Sequence, residues 1–260
     1  MTSQADKAAL LRSLHVPGDP LIVTNVWDAI TARTVAAAPG VRAVATASHS
    51  VSFARGVEDG EGMSVEQALE TAQLVVSAVD LPVTVDFERG YASTLPELES
   101  NIERLIATGA VGLNLEDTSA SGSLFKREDA AARVAAVRTA ATRAAVPLVL
   151  NARADGLIRG SSFDDTVERA NAYLAAGADC IFFLGLSTEE LVAKAVAAVD
   201  GPISVFAGPT SPSLSRLAEL GVARVSFGPS ILGLTLAHLQ ATATQLTARG
   251  DYPAELGFSY

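Results

Sequence analysis

The chain has 260 residues, of which 49% are hydrophobic and 18% charged, a balance that supports a well-buried core and excludes long disordered stretches. Its formal net charge of −10, with no Lys/Arg-rich run, argues against nucleic acid and anionic membrane surfaces as partners. The length suits a single domain spanning residues 1–260, because an α/β barrel uses about 250 residues for one core.

The opening MTSQADKAALLRSLH lacks the apolar core of a secretory signal, and no apolar run is long enough to span a bilayer. Cys180 is the only cysteine, which excludes an intramolecular disulfide and fits a reducing, cytoplasmic setting. Leu21 to Asn25 is the first buried-strand pattern, and the second follows Gly40 (GVRAVATAS). It leads into a long connection without periodicity, His49 to Gly62. Ser64 with Gln67 has capping-box spacing for the next helix, Val83 to Phe87 is the third strand, and Thr94 with Glu97 repeats the capping pattern. Gly109 opens the fourth strand (GAVGLNLED), Leu148 to Ala152 is the fifth, and Gly177 opens the sixth (GADCIFFLG). Ser187 with Glu190 marks another helix start, Ile203 to Phe206 is the seventh strand, and Gly221 opens the eighth (GVARVSFG). Short apolar runs of this kind read as parallel strands buried on both faces, and Gly at the preceding joint supplies the left-handed turn that ends a helix. Eight strand-then-helix units predict an α/β fold of the closed (β/α)8 type rather than an open doubly wound sheet. The last helix, Ser230 to Arg249, is apolar on more than one face (ILGLTLAHLQ). It needs burial on both sides, so a homo-oligomer, dimer or tetramer, is expected.

In such a barrel catalytic groups come from the C-terminal ends of different strands. Here those ends are acidic: Trp27-Asp28, Asp86-Phe87-Glu88, Glu116-Asp117 and Asn151-Ala152-Arg153-Ala154-Asp155. Carboxylates gathered in a low-dielectric pocket without Lys repel one another unless a cation lies between them. All-oxygen donors favour Mg²⁺ or Mn²⁺ over Zn²⁺. Helix capping is the competing role, and it is weighed evenly for Asp117 and Asp155.

The residues in order resemble the isocitrate lyase and phosphoenolpyruvate mutase superfamily over nearly the whole chain. The landmarks are Asn25-Val-Trp27-Asp28-Ala, Ala47-Ser48-His49-Ser50, Gly56-Val-Glu-Asp59-Gly60, and Pro82-Val-Thr-Val-Asp86-Phe-Glu88-Arg-Gly90-Tyr91. Gly112-Leu-Asn-Leu-Glu116-Asp117, Leu150-Asn151-Ala-Arg153-Ala-Asp155, Phe206-Ala-Gly-Pro209 and Val225-Ser-Phe-Gly228-Pro229 complete the set. The resemblance implies that Asp86 ligates Mg²⁺ directly and that Asp28, Glu88 and Glu116 hold its waters. Arg153, with Asp28 and Glu116, would serve catalysis, and Arg153 would face the transferring or leaving group. Ser48 to Ser50 would bind a substrate carboxylate through backbone N–H groups, with Trp27, His49 and Asn151 as further substrate contacts. The substrate so implied is a small 2-oxo acid whose C–C or P–C bond breaks to give a pyruvate-like enolate, stabilised by Lewis-acid catalysis. The resemblance also implies exchange of the last helix between subunits.

Departures matter equally. The stretch Thr118 to Arg127 (TSASGSLFKR) contains neither the Cys-bearing lyase loop of the family nor its mutase-type loop, and Glu88 stands where many members have Asp. Cys180 lies in an apolar strand and reads as an inert core residue. Lys7, Lys126 and Lys194 are the only lysines and none is at a strand end, which argues against Schiff-base chemistry. His15 and His238 read as surface or packing residues. His49 is open between a substrate contact and a loop residue. Gly208-Pro209-Thr210 and Gly228-Pro229-Ser230 support a second reading, a phosphate- or flavin-binding barrel, which leaves the acidic ends unexplained. A third reading, an inactive barrel kept as a binding scaffold, leaves the retained Asp28, Asp86, Glu88, Glu116 and Arg153 unexplained.

Overall fold

The computed structural model describes residues 2–253. Nine short strands form one all-parallel sheet: β1 (Leu21–Val23), β2 (Asn25–Val26), β3 (Val44–Thr46), β4 (Val83–Asp86), β5 (Gly112–Leu115), β6 (Val149–Ala154), β7 (Cys180–Phe183), β8 (Ile203–Phe206) and β9 (Arg224–Ser226). The helices are α1 (Gln4–Ser13), α2 (Ala29–Ala36), α3 (Ser48–Ala54), α4 (Val65–Ala78), α5 (Leu95–Ala107), α6 (Arg127–Arg143), α7 (Phe163–Ala175), α8 (Glu189–Ala198), α9 (Leu214–Glu219) and α10 (Ser230–Thr247). A 3₁₀ turn, Leu157–Arg159, follows β6.

The order β1-β9-β8-β7-β6-β5-β4-β3-β2 is that of a (β/α)8 barrel in which the first staves are two halves of one strand. β1 pairs with β9 and β2 with β3. Asn25 spans the seam. Its amide nitrogen donates to Thr46 O at 2.9 Å, and its Oδ1 accepts the N–H groups of Phe227 at 2.8 Å and Gly228 at 2.9 Å. One buried side chain thus satisfies backbone groups on both neighbouring strands, where the ladder itself cannot reach.

Two local readings shift. The connection after β3 is not all irregular, because Ser48 to Ala54 is helical. Ser187 does not start α8: Thr188 is its cap, accepting from Leu191 N–H, so the boundary lies one residue later. The N-terminal segment forms α1, which closes the bottom of the barrel. Ala8, Leu11 and Leu14 pack with Leu21, Val23, Ala45 and Val149 in a second core cluster. A Cβ at Gly112 would come within 2.7 Å of Leu11 Cδ2 and 3.0 Å of Thr84 Oγ1, so a larger residue there would push on this plug. The main core lies between the sheet and the surrounding helices, with Leu98, Ile102 and Leu105 of α5 fully buried.

α10 stands apart from this packing. It contacts the barrel mainly through β2, buries only Leu232, and leaves Leu234 and Leu239 exposed by 72% and 62%.

His15, at the end of α1, bonds Leu11 O through Nδ1 at 2.8 Å. Burial, and then the Arg224 charge, pull its pKa down from 6.5 to about 4. The unfolded chain therefore takes up the proton first, so this residue's contribution is complete above pH 6.5 and is lost as pH falls toward 4. The loss is on the order of 3 kcal/mol. Urea unfolding of wild type and His15→Gln between pH 4 and 7 should give curves that diverge in that window, with the variant less acid-sensitive. Parallel curves would contradict the assignment.

Candidate active site

The C-terminal ends of β4, β5 and β6 bring the acidic motifs together. Register fixes the floor: Asp86 pairs with Asn114, and Asn114 with Asn151. Residues so paired share a face. Their side chains form a relay in which Asn151 Nδ2 donates to Asn114 Oδ1 at 2.8 Å and Asn114 Nδ2 donates to Asp86 Oδ1 at 3.4 Å. Asp86 Oδ2 accepts the Ser48 N–H at 3.0 Å. Asn151 Oδ1 is buried and without a partner.

Arg153 stands next to this floor. Its Nη1 lies 2.5 Å from Glu116 Oε1, and its Nε and Nη2 donate to the two oxygens of the fully buried Asp155 at 2.8 and 2.9 Å. The planar fork is thus occupied by Asp155, and one edge of the guanidinium remains turned toward Glu116. Burial works against the Arg153 charge, but Asp155 and Glu116 outweigh it and keep the side chain protonated. Burial raises the Glu116 pKa; Arg153 opposes that, while Asp86, Asp155 and Glu88 add to it.

Neither Asp117 nor Asp155 caps a helix. Asp155 accepts the Thr118 hydroxyl at 2.8 Å. Asp117 accepts the Asp155 N–H at 3.0 Å and the Tyr173 hydroxyl at 2.7 Å, and burial lifts its pKa to about 6. The cap is instead Asp28. Its Oδ1 accepts the Thr31 N–H at 2.8 Å and hydroxyl at 2.7 Å at the start of α2, a role the sequence reading did not give it.

Glu88 is buried, with both carboxylate oxygens engaged: one by the Glu61 N–H, the other by the Tyr91 hydroxyl. Burial raises its pKa to about 7; the two hydrogen bonds oppose that, and Asp86 and Asp59 add to it. Glu61, Glu88 and Tyr91 all have left-handed backbone, φ 65°, 49° and 52°, at roughly 1–3 kcal/mol each. Glu61 locks the arrangement, since its carboxylate accepts the N–H groups of Arg89 and Tyr91 and pairs with the Arg89 guanidinium. Glu61, Tyr91 and Asn114 were not singled out by residue type. Three residues that pay backbone strain around one carboxylate mark a constrained site.

The remaining sequence-selected residues spread around the rim. Ser48 is buried and Ser50 fully so, with Ser50 Oγ unpartnered. His49 stacks on Phe53, ring centroids 5.4 Å apart. Trp27 packs half-buried against the core. In the 118–127 loop, Thr118 bridges to Leu124 and Ser119 N–H donates to Ser123 O, so the segment is a folded hairpin. Arg127 pairs outward with Glu168. Between this loop and the 89–93 turn lies a cleft of about 450 Å³ that includes Arg89, Tyr91 and Ser119. In the turn after β8 the Gly208 N–H is already taken by Ser211 Oγ at 2.8 Å, which weakens it as a phosphate cradle. Cys180 is fully buried, and burial pushes its thiol up to about 12.

The family model described as phosphoenolpyruvate phosphomutase matches residues 11–247. The chain belongs to that family. Among curated relatives, an oxaloacetate decarboxylase of Rhodopseudomonas palustris is 30% identical over 209 residues, 75% of this chain and 71% of that protein. The phosphoenolpyruvate phosphomutase of Streptomyces hygroscopicus is 28% identical over 269 residues, 98% of this chain and 84% of its own. A crystal structure from Burkholderia cenocepacia, provisionally named a phosphonomutase, superposes with a TM-score of 0.89 at 41% identity, covering 94% of this chain and 99% of that one. Family membership makes the chain a relative of enzymes that act on small oxo acids, and among the described residues no helix is long and apolar enough to cross a membrane.

Asp155→Ala would leave Arg153 buried beside Glu116 alone and Thr118 without its acceptor. Removing one partner of a buried pair costs about 3–5 kcal/mol. Urea denaturation should show a loss of that size; a loss below about 1 kcal/mol, the value of an exposed pair, would mean that Asp155 does not anchor Arg153.

Proposed function

We propose that the chain is a Mg²⁺-dependent enzyme that breaks or rearranges a C–C or P–C bond of a small 2-oxo acid. The observation that carries this reading is the Arg153–Glu116 pair standing beside Asp86 at the barrel mouth. It supplies one fixed cation and a surplus of carboxylates where strand ends converge.

The donor set fits a hard divalent cation. Every candidate donor is oxygen, and burial raises the proton affinity of Glu88 and Glu116, with the neighbouring carboxylates adding to it. Among the described residues no three His, Cys, Asp or Glu side chains form a ready-made shell. That accords with Mg²⁺, which keeps several waters and takes one or two carboxylates. Asp86 would be the direct ligand, with Asp28, Glu88 and Glu116 on its waters. When bound, the metal would supply Lewis-acid stabilisation of negative charge developing on the 2-oxo oxygen.

The chain's own residues have separate tasks. Asp155 aims Arg153 so that the Nη1 edge, which here pairs with Glu116, would meet the leaving or transferring group, and Asn114 and Asn151 orient Asp86. Ser48, Ser50, His49 and Trp27 would border the carboxylate end of the substrate. An inactive scaffold would gain nothing from burying acids at this cost, which supports an enzyme over a binding module. The exposed Leu face of α10 supports a homo-oligomer, and helix exchange between subunits is the arrangement that would cover it.

Titration calorimetry should show Mg²⁺ or Mn²⁺ binding to wild type and none to Asp86→Ala; undiminished binding by the variant would remove Asp86 from the site. A screen of oxaloacetate-like, malate-like and phosphonate 2-oxo acids with Mg²⁺ would identify the substrate. On it, Arg153→Lys is expected to lose more than tenfold in kcat/KM with its melting temperature kept, because Lys retains the charge without the planar fork. Near-normal activity, or activity lost only in step with unfolding, would leave Arg153 a structural ion pair.

A further inference from the structure

The turn that follows Glu88 has little backbone bonding of its own. The Gly90 N–H reaches Phe87 O at 2.7 Å, while the N–H groups of Arg89 and Tyr91 go to the Glu61 carboxylate. Its four carbonyls are taken by two side chains from the surrounding helices. Asn101 of α5 donates through Nδ2 to Gly90 O at 3.1 Å and to Tyr91 O at 2.8 Å. Arg133 of α6 donates through Nη2 to the carbonyls on either side, those of Arg89 and Ala92, the latter at 3.2 Å. Side chains therefore satisfy and position residues 89–92. The place of Tyr91, whose hydroxyl holds Glu88, depends on them.

Arg133 differs from Asn101 in what lies on its other side. It is buried, its Nε has no partner, and among the described residues no carboxylate bonds it. Burial lowers its pKa; Glu61 opposes that through space, and Arg89 adds to it. The Phe125 ring covers the guanidinium, with 5.0 Å between the ring centroid and the central carbon. A desolvated cation gains most from such an aromatic face. Phe125 stands at the base of the hairpin that Thr118 and Leu124 bridge. Its backbone is fixed at both groups: the N–H donates to Asp117 O at 2.9 Å, and the carbonyl accepts Arg169 Nη1 at 2.9 Å. The placement of the loop thus sets the placement of the ring.

We infer that Arg133 is a positioning residue that couples the 118–127 loop, through Phe125, to the turn that holds Glu88. Its bearing on Mg²⁺ rests on the functional reading above. One planar group serves both neighbours, so its position is shared between them. If the ring withdraws, a buried charge loses part of its compensation and its hold on the two carbonyls changes. If the turn shifts, the guanidinium must leave the ring or give up a carbonyl, so the coupling is reciprocal. The loop, which carries neither motif of the family's loops, keeps a task in this way: it places Glu88 through Arg133 and Tyr91.

Hydrogen exchange read by mass spectrometry on the metal-free protein tests this in a double-mutant cycle. Phe125→Leu removes the ring and none of the turn's hydrogen bonds. It should speed exchange of residues 89–92 by roughly twofold to fivefold, and should add nothing in the Arg133→Met background. In Asn101→Ala, which loosens the same turn without touching Phe125, the effect of Phe125→Leu should persist. Phe125→Tyr keeps an aromatic face and should exchange as wild type does, a comparison that stands even if Arg133→Met fails to fold. Unchanged exchange at 89–92 in Phe125→Leu, or an equal effect of Phe125→Leu with and without Arg133, would overturn the inference. In calorimetry Arg133→Met should weaken Mg²⁺ binding by about tenfold, as loss of an outer support does; binding left unchanged would overturn the positioning role. A wild type that binds no Mg²⁺ would overturn the functional reading, while the exchange cycle decides the coupling by itself.

Discussion

The bidentate contact between Arg153 and the buried Asp155 is the interaction on which the mouth of the barrel depends. A guanidinium at the end of β6 could turn toward Glu116 or Asp86; Asp155, two residues along the same chain, restricts it. Thr118 fixes the second Asp155 oxygen, and Asp117 fixes the Asp155 backbone N–H. Tyr173 of α7 in turn holds Asp117. The orientation of one cation is thereby tied to packing two layers away, which is how a barrel can hold a site more tightly than its loops alone would.

Fixing Arg153 leaves the neighbouring acids under-compensated. Glu116 has one ion-pair partner, and Glu88 has only neutral donors. Burial raises the proton affinity of both, and the neighbouring carboxylates add to it. The left-handed trio Glu61, Glu88 and Tyr91 shows the same tension in the backbone, because hydrogen bonds to a buried carboxylate hold three side-chain-bearing residues where glycine is usual.

Much of this was legible in the sequence because parallel strands and their Gly joints are local signals. The eight strand patterns, the acidic strand ends and the capping residues Ser64 and Thr94 depend on residues within a few positions of one another, and the structure has them. What escaped depends on distant partners. The first strand divides at Thr24 because its two halves must pair with strands on opposite sides of the closure, and Asn25 bridges them only once β3 and β9 are present. Asp28, expected at the site, also caps α2 through Thr31 three residues on, and that signal was local and readable. Glu61 was not readable, since nothing near it predicts that its carboxylate gathers N–H groups from 28 and 30 residues away.

The same distinction separates the two halves of the mouth. The polar half of the mouth is built from motifs contiguous in sequence, Asp86-Phe-Glu88, Glu116-Asp117 and Asn151-Ala-Arg153, so residue type alone points to it. The apolar half is visible only through alternation and register. Phe206 and Leu184 look like ordinary strand residues until their neighbours Ser204 and Phe182 are shown to face Arg224 inside the barrel. Inside a barrel, Phe at a strand end would be unremarkable if buried, and Gly-Pro turns would be unremarkable if they served only as turns. Phe206 is instead exposed between Gly208 and Gly228, two residues beyond the Ser204 that holds Arg224, and neither feature can be read from residue type alone.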